Sequence, residues 1–371
     1  MNTPSIPACA SIAVPAKSLT IAGRTIGPGN PTFVIAEIGV NHDGDVQKAI
    51  ELVRIAAACG ADAVKLQIFR ATTLMHPSCG FAAYQKERVY ESDAIEMLRR
   101  YELSREELRV IVKAIHEAKV VPLATPFSPN DIDTIAALRL PAIKIASPDL
   151  INRALLYEAV QLGRPMLLST GAATMQEVAH SVGWMKDSFA RFALLHCISS
   201  YPCENAQANL AWIGELDKAF DVPVGYSDHT AHPLAGALAV AAGATIVEKH
   251  ITYDRSARGP DHLASADPQQ FERYVKQIRE ADILRGVAGK HVLACEQDVR
   301  SVSRQSLVVR RTMMAGEEIR YQDLTVQRPG SGISAAHWAE VMGQRASQMI
   351  PAGSILQPDM IAGQQGRWRA A

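Results

Sequence analysis

The segment FVIAEIG (Phe33–Gly39) is a short apolar run that ends in a glutamate and a glycine. A run of this kind, bounded by turn residues, is typical of a parallel strand buried on both faces. The chain repeats the pattern in AVKLQ (63–67), VVPLATP (120–126), AIKIAS (142–147), PMLLSTG (165–171), FALLHCISSYP (192–202), VPVGYSDHT (222–230) and TIVEKH (245–250). Stretches with helical apolar spacing lie between these runs. The order β-α, repeated eight times, predicts a (β/α)8 TIM barrel.

The C-terminal ends of the eight runs carry polar side chains that can do chemistry. In a (β/α)8 barrel the active site is built at these strand ends. The side chains found there are Glu37, Lys65, Gln67, Lys144, Ser147, Ser169, His196, Ser227, Asp228, His229, Glu248 and His250. One polar strand end is usually a helix cap or a turn. Eight of them in register predict a catalytic rim.

The bulk composition indicates an enzyme of the cytoplasm. The 371 residues include 38 Lys and Arg and 38 Asp and Glu, so the zero net charge argues against a nucleic-acid partner. No stretch approaches the roughly 20 apolar residues of a membrane span, so no membrane partner is expected. The N-terminal segment lacks the basic start and apolar core of a signal peptide. The six cysteines include no CxxC spacing, which predicts neither disulfides nor a zinc site.

The pattern changes near residue 286, which predicts more than one domain. We predict an N-terminal extension (1–30), the barrel (31–285), a linker (286–303) and a small, mostly β domain (304–371). An imperfect repeat, MMAGEEIRYQDL (313–324) and IPAGSILQPDM (350–360), indicates that the small domain has two similar halves. A core of this size is marginal by itself. We therefore expect the domain to dock on another surface, such as the barrel of a partner chain.

Two histidines predict a metal site. His229 follows the seventh run and His250 ends the eighth, and the ends of neighbouring barrel strands lie side by side. Imidazole suits several divalent metals, and a nearby carboxylate such as Glu37 favours Mg²⁺ or Mn²⁺. Spacing alone leaves open that both rings are simply hydrogen-bonded.

Two lysines predict either covalent catalysis or anion binding. Lys65 and Lys144 lie among aliphatic residues at strand ends, where a charge needs a partner. One of them could form a Schiff base, as in class I aldolases. Both could instead neutralise a phosphate or carboxylate, and the hydroxyls of Ser147, Ser169 and Ser227 favour this anion site.

The ordered motifs resemble the N-acetylneuraminate (sialic acid) synthase family. The resemblance rests on EIGVNHDG (37–44), VKLQ, TPFS (125–128), KIAS, LSTG, LLHC followed by SSYP, SDHT, EKH and GPDHLAS (259–265). The last domain, with VQRPGSGIS (326–334), resembles the antifreeze-like (SAF) domain that follows the barrel in these enzymes. The family condenses phosphoenolpyruvate with an N-acylated mannosamine or a related 6-deoxy sugar. It requires Mn²⁺ or Mg²⁺.

The resemblance implies a role for each matched residue. The metal ligands are His229 and His250. The groups that hold phosphoenolpyruvate are Lys65, Lys144, Ser147, Ser169, Ser199 and Ser227. The sugar-binding positions are Gln67, Asp149, Tyr201, Asp261 and Arg328. Glu37 and Asp261 are the candidates for activating water. The arginine belongs to the SAF domain and reaches the sugar of the other subunit, so the resemblance implies a domain-swapped homodimer.

The chain departs from the family at two places and leaves the acceptor sugar open. Pro148-Asp149 replaces Gly-Glu, and Ile198-Ser199 replaces Thr-Asn. The GPDH motif favours a neuraminic or legionaminic acid product over pseudaminic acid. Two other hypotheses are a Schiff-base class I aldolase on the same barrel and a non-catalytic sugar-binding relative.

Overall fold

The computed structural model describes residues 17–80 and 93–363. The chain divides into two compact units between Val287 and Ala288. The first 16 residues of the predicted N-terminal extension, and the last eight of the predicted SAF domain, lie outside the described residues. In the described ranges, every helix is too short or too polar to cross a membrane.

The first unit is a closed barrel of eight parallel strands, which confirms the predicted TIM barrel. A short antiparallel hairpin, β1 (Leu19–Ile21) and β2 (Arg24–Ile26), precedes it. The barrel strands are β3 (Phe33–Gly39), β4 (Ala63–Ile68), β5 (Val121–Pro126), β6 (Ile143–Ile145), β7 (Met166–Ser169), β8 (Phe192–Cys197), β9 (Val224–Asp228) and β10 (Ile246–His250). β10 pairs with β3 and closes the ring.

Helices connect the strands and cover the outside of the barrel. They are α1 (Val46–Ala58), α2 (Ala71–Leu74), α3 (Ala94–Arg100), α4 (Arg105–Glu117), α5 (Pro129–Ala137), α6 (Arg153–Gln161), α7 (Met175–Asp187), α8 (Ala211–Ala219), α9 (Ala235–Ala241) and α10 (Pro268–Arg285). Several begin with a capping box, in which a Ser, Thr or Asp side chain and the residue three positions later satisfy free N–H groups. Eight of these helices bury their apolar faces against the outward side chains of the strands, whereas α2 and α3 belong to a separate apolar cluster with Val40 and Phe69.

The barrel interior is apolar at one end and polar at the other. Alternate residues of a strand point inward, so β3 directs Phe33, Ile35 and Glu37 to the interior. The lower inner positions form one buried apolar cluster. The upper inner positions, at the C-terminal ends of the strands, are polar and buried. The functional cavity therefore lies above a packed apolar floor.

The hairpin closes the bottom of the barrel, which the predicted extension did not anticipate. Leu19, Ile21 and Ile26 are almost completely buried and join the inner apolar cluster. Strands of three residues are too short to show an alternating pattern in the sequence. Burial of these side chains removes the lower apolar layer from water.

The second unit contains the predicted repeat as two equivalent halves. Met313 and Ile350 start the two copies and pair with each other in an antiparallel bridge. Each copy then turns at a glycine with positive φ, buries an aliphatic residue three positions later and continues into a 3-10 turn. The regular elements of the unit are α11 (Gln297–Ser303), β11 (Ser306–Val309), β12 (Leu324–Gln327) and α12 (Trp338–Val341).

The segment predicted as a linker carries regular structure. Residues 286–303 include a 3-10 turn, Ala294–Glu296, and the helix α11. The helix exposes Val299 and Val302, so it has no buried apolar stripe. This exposure explains why the sequence shows weak periodicity there.

Candidate active site

A cavity of about 460 Å³ opens at the C-terminal end of the barrel. Thirteen of the fourteen predicted site residues line it: Glu37, Lys65, Gln67, Lys144, Ser147, Asp149, Ser169, Ser199, Tyr201, Ser227, His229, His250 and Asp261. The fourteenth, Arg328, belongs to the second unit and is exposed directly after β12. These thirteen residues come from seven of the eight strand ends, and the remaining strand, β5, contributes Thr125 to the same cavity.

Two polar strand-end residues face away from this cavity, contrary to the sequence expectation. Asp228 points outward and accepts hydrogen bonds from Lys249 Nζ at 2.9 Å and from Tyr274 Oη at 2.7 Å. His196 also points outward, and its Nε2 lies 2.8 Å from the carbonyl oxygen of Ala208. Both side chains occupy the alternate positions of their strands, so their partners come from the surrounding helices and loops.

The two lysines share buried carboxylates inside the cavity. Lys65 Nζ forms an ion pair with Glu37 and a second one with Glu248, at 3.1 Å from Oε2. Lys144 Nζ lies 3.5 Å from the other oxygen of Glu248. The Ser227 hydroxyl donates to that same oxygen at 2.9 Å. Glu248 thus joins both lysines, a role that the sequence analysis did not assign, although its position at a strand end was the available signal.

Burial and charge set the protonation of this cluster. Burial lowers the pKa of Lys65 to about 7, although the charge of Glu248 opposes the shift. Burial by itself would raise the pKa of Glu248, but the charges of Lys144 and Lys65 outweigh it and bring the value to about 2. Glu248 is therefore ionised at neutral pH, whereas Lys65 gains or loses its proton close to neutral pH.

A cluster of hydroxyl groups lies beside Lys144. Its Nζ donates to Ser169 Oγ at 2.6 Å. Ser147 Oγ accepts a hydrogen bond from the backbone N–H of Gly171 at 3.0 Å. A Cβ atom on Gly171 would lie 2.7 Å from Ser147 Oγ and would collide with Ser199 Oγ. Glycine at this position therefore leaves the space between the hydroxyls open. Lysine charge, hydroxyls and a nearby N–H group form a cradle of the kind that binds oxyanions.

The two predicted metal ligands face each other across the cavity. The ring centroids of His229 and His250 are 5.6 Å apart, and the Tyr201 ring lies 4.1 Å from that of His229. His229 Nδ1 lies 2.9 Å from the carbonyl oxygen of Ile198. A hydrogen bond from Nδ1–H to this carbonyl leaves the Nε2 lone pair free to bind a metal.

The arrangement fits a divalent metal held by few protein groups. His250 Nδ1 is buried and has no hydrogen-bond partner among the described residues. Burial and the nearby charge of Lys65 hold the pKa of His250 well below its ordinary value, so the ring is neutral, as a ligand must be. In the described part of the chain no three His, Cys, Asp or Glu side chains are grouped to hold a metal. Among the described residues, the two imidazoles are therefore the candidate ligands for such a metal.

Three further polar residues line the rim of the cavity. Asp261 is buried, and this burial raises its pKa to about 6 although His229 and His262 oppose the shift. Asp149 is half-buried, and burial raises its pKa above the usual range. Gln67 Nε2 donates to Glu37 Oε1 at 3.2 Å and so orients that carboxylate.

One wall of the cavity is apolar, which the sequence analysis missed. Its side chains come from the strand-end loops and from α2 and α3, and they are Val40, Phe69, Leu74, Met75, Met97, Leu98 and Phe127. In the sequence these residues look like ordinary apolar residues of helices or loops. The cavity therefore combines a charged, hydroxyl-rich floor with an apolar side.

Comparison with known proteins identifies the family. The model of the NeuB family matches residues 52–290, and that of the SAF domain matches residues 304–362. The chain belongs to the NeuB family. This membership and the SAF domain confirm the resemblance seen in the motifs.

Relatives in the NeuB family have named activities. The N,N'-diacetyllegionaminic acid synthase of Legionella pneumophila is 38% identical over 336 residues, which cover 89% of this chain and 94% of the relative. The pseudaminic acid synthase of Helicobacter pylori is 28% identical and covers 89% of this chain and 98% of its own length. The crystal structure of the N-acetylneuraminic acid (sialic acid) synthetase of Leptospira borgpetersenii, in complex with citrate, superposes with a TM-score of 0.69 at 32% identity. That match covers 76% of this chain and 95% of the synthetase.

Proposed function

We propose that the chain is a nonulosonic acid synthase that condenses phosphoenolpyruvate with an N-acylated mannosamine-type sugar and releases inorganic phosphate. The observation that carries the proposal is the meeting of Lys65, Lys144 and the hydroxyl cradle with two facing imidazoles in one cavity. The NeuB relatives support the same reaction class. The product is most consistent with legionaminic or N-acetylneuraminic acid, and pseudaminic acid is the alternative.

In this proposal the floor of the cavity binds phosphoenolpyruvate. Lys144, together with Ser147 and Ser169, receives one anionic group through charge-assisted hydrogen bonds. Lys65 supplies the second positive charge, and Ser227 completes the set. An anionic ligand favours the charged form of Lys65, so binding raises its pKa from about 7.

The sugar would lie above phosphoenolpyruvate, beside the imidazoles. His229 and His250 would hold Mn²⁺ or Mg²⁺, which supplies Lewis-acid polarisation of the sugar aldehyde when bound. Gln67, Asp149 and Tyr201 line the same space and would orient the hydroxyls of the sugar.

The bond changes balance with one water molecule. The C3 atom of phosphoenolpyruvate uses its enol electron pair to form a bond to the aldehyde carbon, and positive charge develops at C2. Water adds at C2 and gives a proton to Asp261 or Glu37, while the former aldehyde oxygen takes up a proton. The bond between C2 and the bridging oxygen of the phosphate then breaks, and phosphate leaves with the bonding electrons. The C2 hydroxyl gives its proton to the departing phosphate and becomes the ketone carbonyl of the product. A pKa of about 6 suits Asp261 to accept a proton near neutral pH.

A Schiff-base aldolase is the second candidate, because the pKa of Lys65 near 7 would make its amine available as a nucleophile. Its ion pairs with Glu37 and Glu248 favour the charged form instead. Borohydride treatment in the presence of pyruvate distinguishes the two, since only an imine is trapped on the protein. A purely sugar-binding protein would bind sugar without releasing phosphate.

We also propose a homodimer in which the SAF domain of each chain completes the site of its partner. Two observations support it: Arg328 is exposed after β12, and α10 ends in the exposed apolar residues Ile283 and Leu284, at 80% and 86% exposure. Mixing Arg328→Ala chains with His250→Ala chains tests the idea. At a sugar concentration far below the KM of Arg328→Ala, heterodimers would regain one intact site and therefore activity. Sites built within one chain would show no more than the residual activity of Arg328→Ala. The cytoplasmic location remains a prediction.

The first experiment measures phosphate release from phosphoenolpyruvate with Mn²⁺. N-acetylmannosamine and 2,4-diacetamido-2,4,6-trideoxymannose are offered separately, each with and without a chelator, and phosphoenolpyruvate alone is the blank. Release that depends on one sugar and is lost on chelation is expected and names the product. No release with either sugar, at substrate concentrations that saturate a control synthase, would refute the proposal.

A further inference from the structure

Asp261 lies on a long irregular loop that follows β10. The loop begins where Ile251 N–H donates to the carbonyl oxygen of Glu37 at 2.9 Å, and it returns where Ala266 N–H donates to that of His250 at 2.9 Å. Between these points a 3-10 turn, His262–Ala264, is the one helical element. A loop of this length does not fix a side chain by itself, so the position of Asp261 depends on contacts from elsewhere.

The first such contact joins Asp43 and His262, two side chains from the loops after β3 and β10. Asp43, in the loop after β3, lies with Oδ1 at 3.1 Å from His262 Nε2. Its Oδ2 accepts hydrogen bonds from Tyr253 Oη and Lys48 Nζ, both at 2.6 Å. His262 Nδ1 lies 2.7 Å from Thr252 Oγ1. Asp43 therefore holds two residues of the β10 loop, one of them next to Asp261.

The second contact comes from the same loop after β3. Asn41 Nδ2 donates to the carbonyl oxygen of Ile251 at 2.9 Å and to Ser265 Oγ at 2.8 Å. Ser265 Oγ in turn donates to the backbone carbonyl oxygen of Asp261 at 2.7 Å. The amide of Asn41 thus reaches Asp261 through one hydroxyl group.

The Asp43–His262–Thr252 chain has the composition of a nucleophile with its base, but burial excludes that role. Thr252 is 0% exposed and His262 is 1% exposed, and neither lines the cavity. A hydroxyl without access to a substrate cannot attack one. These three hydrogen-bonded side chains therefore fix the positions of neighbouring residues.

We propose that Asn41 and Asp43 are positioning residues that hold the Asp261 carboxylate in the cavity. The inference rests on the proposed synthase activity and adds to it a link between two carboxylates. Glu37 stands on β3 itself, and the loop directly after β3 carries both tethers. One segment of chain thereby sets the separation of the two groups that are candidates for activating water. Misplacement of a reacting group by about 1 Å can cost about 10²-fold in rate.

Gly259 shows how tightly the loop is seated. Its φ is +158°, and a Cβ atom there would lie 2.7 Å from Cδ2 of the His262 ring. The ring occupies the space that any side chain would need. Gly259→Ala should therefore push His262 away from Asp43 and reproduce the loss of the tether.

The test compares Asp43→Ala with Asp43→Asn in the full chain. We expect Asp43→Ala to lower kcat by about 10²-fold and to leave the KM for phosphoenolpyruvate unchanged. Asp43→Asn keeps an oxygen that accepts from His262, and it should stay within about tenfold of the unmodified chain. In a chain that already carries Asp261→Ala, the change Asp43→Ala should cost little more, because both act through one carboxylate.

Hydrogen exchange gives a readout that does not depend on activity. Amides 255–265 should exchange faster in Asp43→Ala, while those of α4 keep their protection. His196→Ala is the control, since it removes a hydrogen bond of a buried barrel histidine, as Asp43→Ala does for His262, but it lies outside the loop. It should lower stability without changing kcat.

The outcomes separate this inference from the proposed function. If the unmodified chain released no phosphate with either sugar, the proposed synthase function would be refuted. The hydrogen-exchange data would still test whether Asp43 holds the Asp261 loop in place. Normal kcat and normal exchange in Asp43→Ala would overturn the inference. So would additive losses in the Asp43→Ala and Asp261→Ala pair, or an equal loss of kcat in His196→Ala.

Discussion

Replacing Lys65 by methionine should destabilise the barrel more than replacing Lys144 by methionine. Each change removes one buried ammonium group and keeps an unbranched side chain of similar length. The two variants differ in the buried carboxylates that lose their cationic partner. Lys65 pairs with both Glu37 and Glu248, whereas Lys144 lies 3.5 Å from Glu248 and touches no second carboxylate among the described residues.

The distances give the scale of the effect. At an effective dielectric constant of about 20, two unit charges at the Lys65–Glu248 distance of 3.1 Å attract by about 5 kcal/mol. Desolvation of the ions cancels most of this attraction in the intact protein, but removal of one partner leaves a buried charge and costs about 3–5 kcal/mol. Lys65→Met leaves Glu37 without a cation, so we expect this full cost. After Lys144→Met, Glu248 keeps Lys65 and Ser227, so the cost should be about 1–2 kcal/mol.

The assay is urea unfolding of both variants and the unmodified chain at pH 6, below the pKa of Lys65 of about 7, followed by a signal from the barrel. A double variant, Lys65→Met with Glu37→Gln, also removes the unpaired charge of the Glu37 carboxylate and should recover part of the lost stability. The reasoning would be refuted if Lys144→Met were as destabilising as Lys65→Met, or if the double variant were less stable than Lys65→Met alone.

Three further predictions concern activity. His229→Ala and His250→Ala should each abolish turnover that depends on Mn²⁺ and reduce Mn²⁺ binding in calorimetry; near-normal activity of both would end the metal-site proposal. Arg328→Ala should raise the KM for the sugar and leave that for phosphoenolpyruvate nearly unchanged, and steady-state kinetics with each substrate varied would reveal an equal rise in both as a contradiction. The pH profile of kcat/KM for phosphoenolpyruvate should be bell-shaped: activity falls below about 6 as Asp261 gains a proton and above about 7 as Lys65 loses one. In Asp261→Asn the acidic limb should disappear, and a limb that persisted would assign it to another group.

The apolar wall of the cavity affects which acceptor sugar binds well. Van der Waals contact with a methyl or acetyl group is favourable there, whereas a hydroxyl group would lose its hydrogen bonds to water. The two sugars of the first experiment differ in this respect, because the trideoxy sugar has a C6 methyl group and a second acetamido group. Their relative kcat/KM values therefore report on Phe69, Met97 and Phe127 as well as on the reaction class.

The order of the elements, and most of the residues that line the cavity, could be predicted from the sequence. Eight apolar runs with polar ends were enough, because a strand buried on both faces needs continuous apolar residues and a barrel collects its strand ends. The repeat at 313–324 and 350–360 likewise indicated two equivalent halves, which the paired starts at Met313 and Ile350 show. Thirteen predicted residues share one cavity for the same reason.

The side of a strand that a polar residue occupies, and the partners it contacts there, could not be predicted from the sequence and depend on the assembled barrel. A strand that is apolar on both faces carries no signal for its inward phase, so Asp228 and Glu248 look alike in the sequence. In the barrel one faces the helices and the other joins two lysines. The tethers from Asn41 and Asp43 to the Asp261 loop join residues more than 200 positions apart. Such contacts depend on closure of the ring between β10 and β3, and local sequence does not encode them.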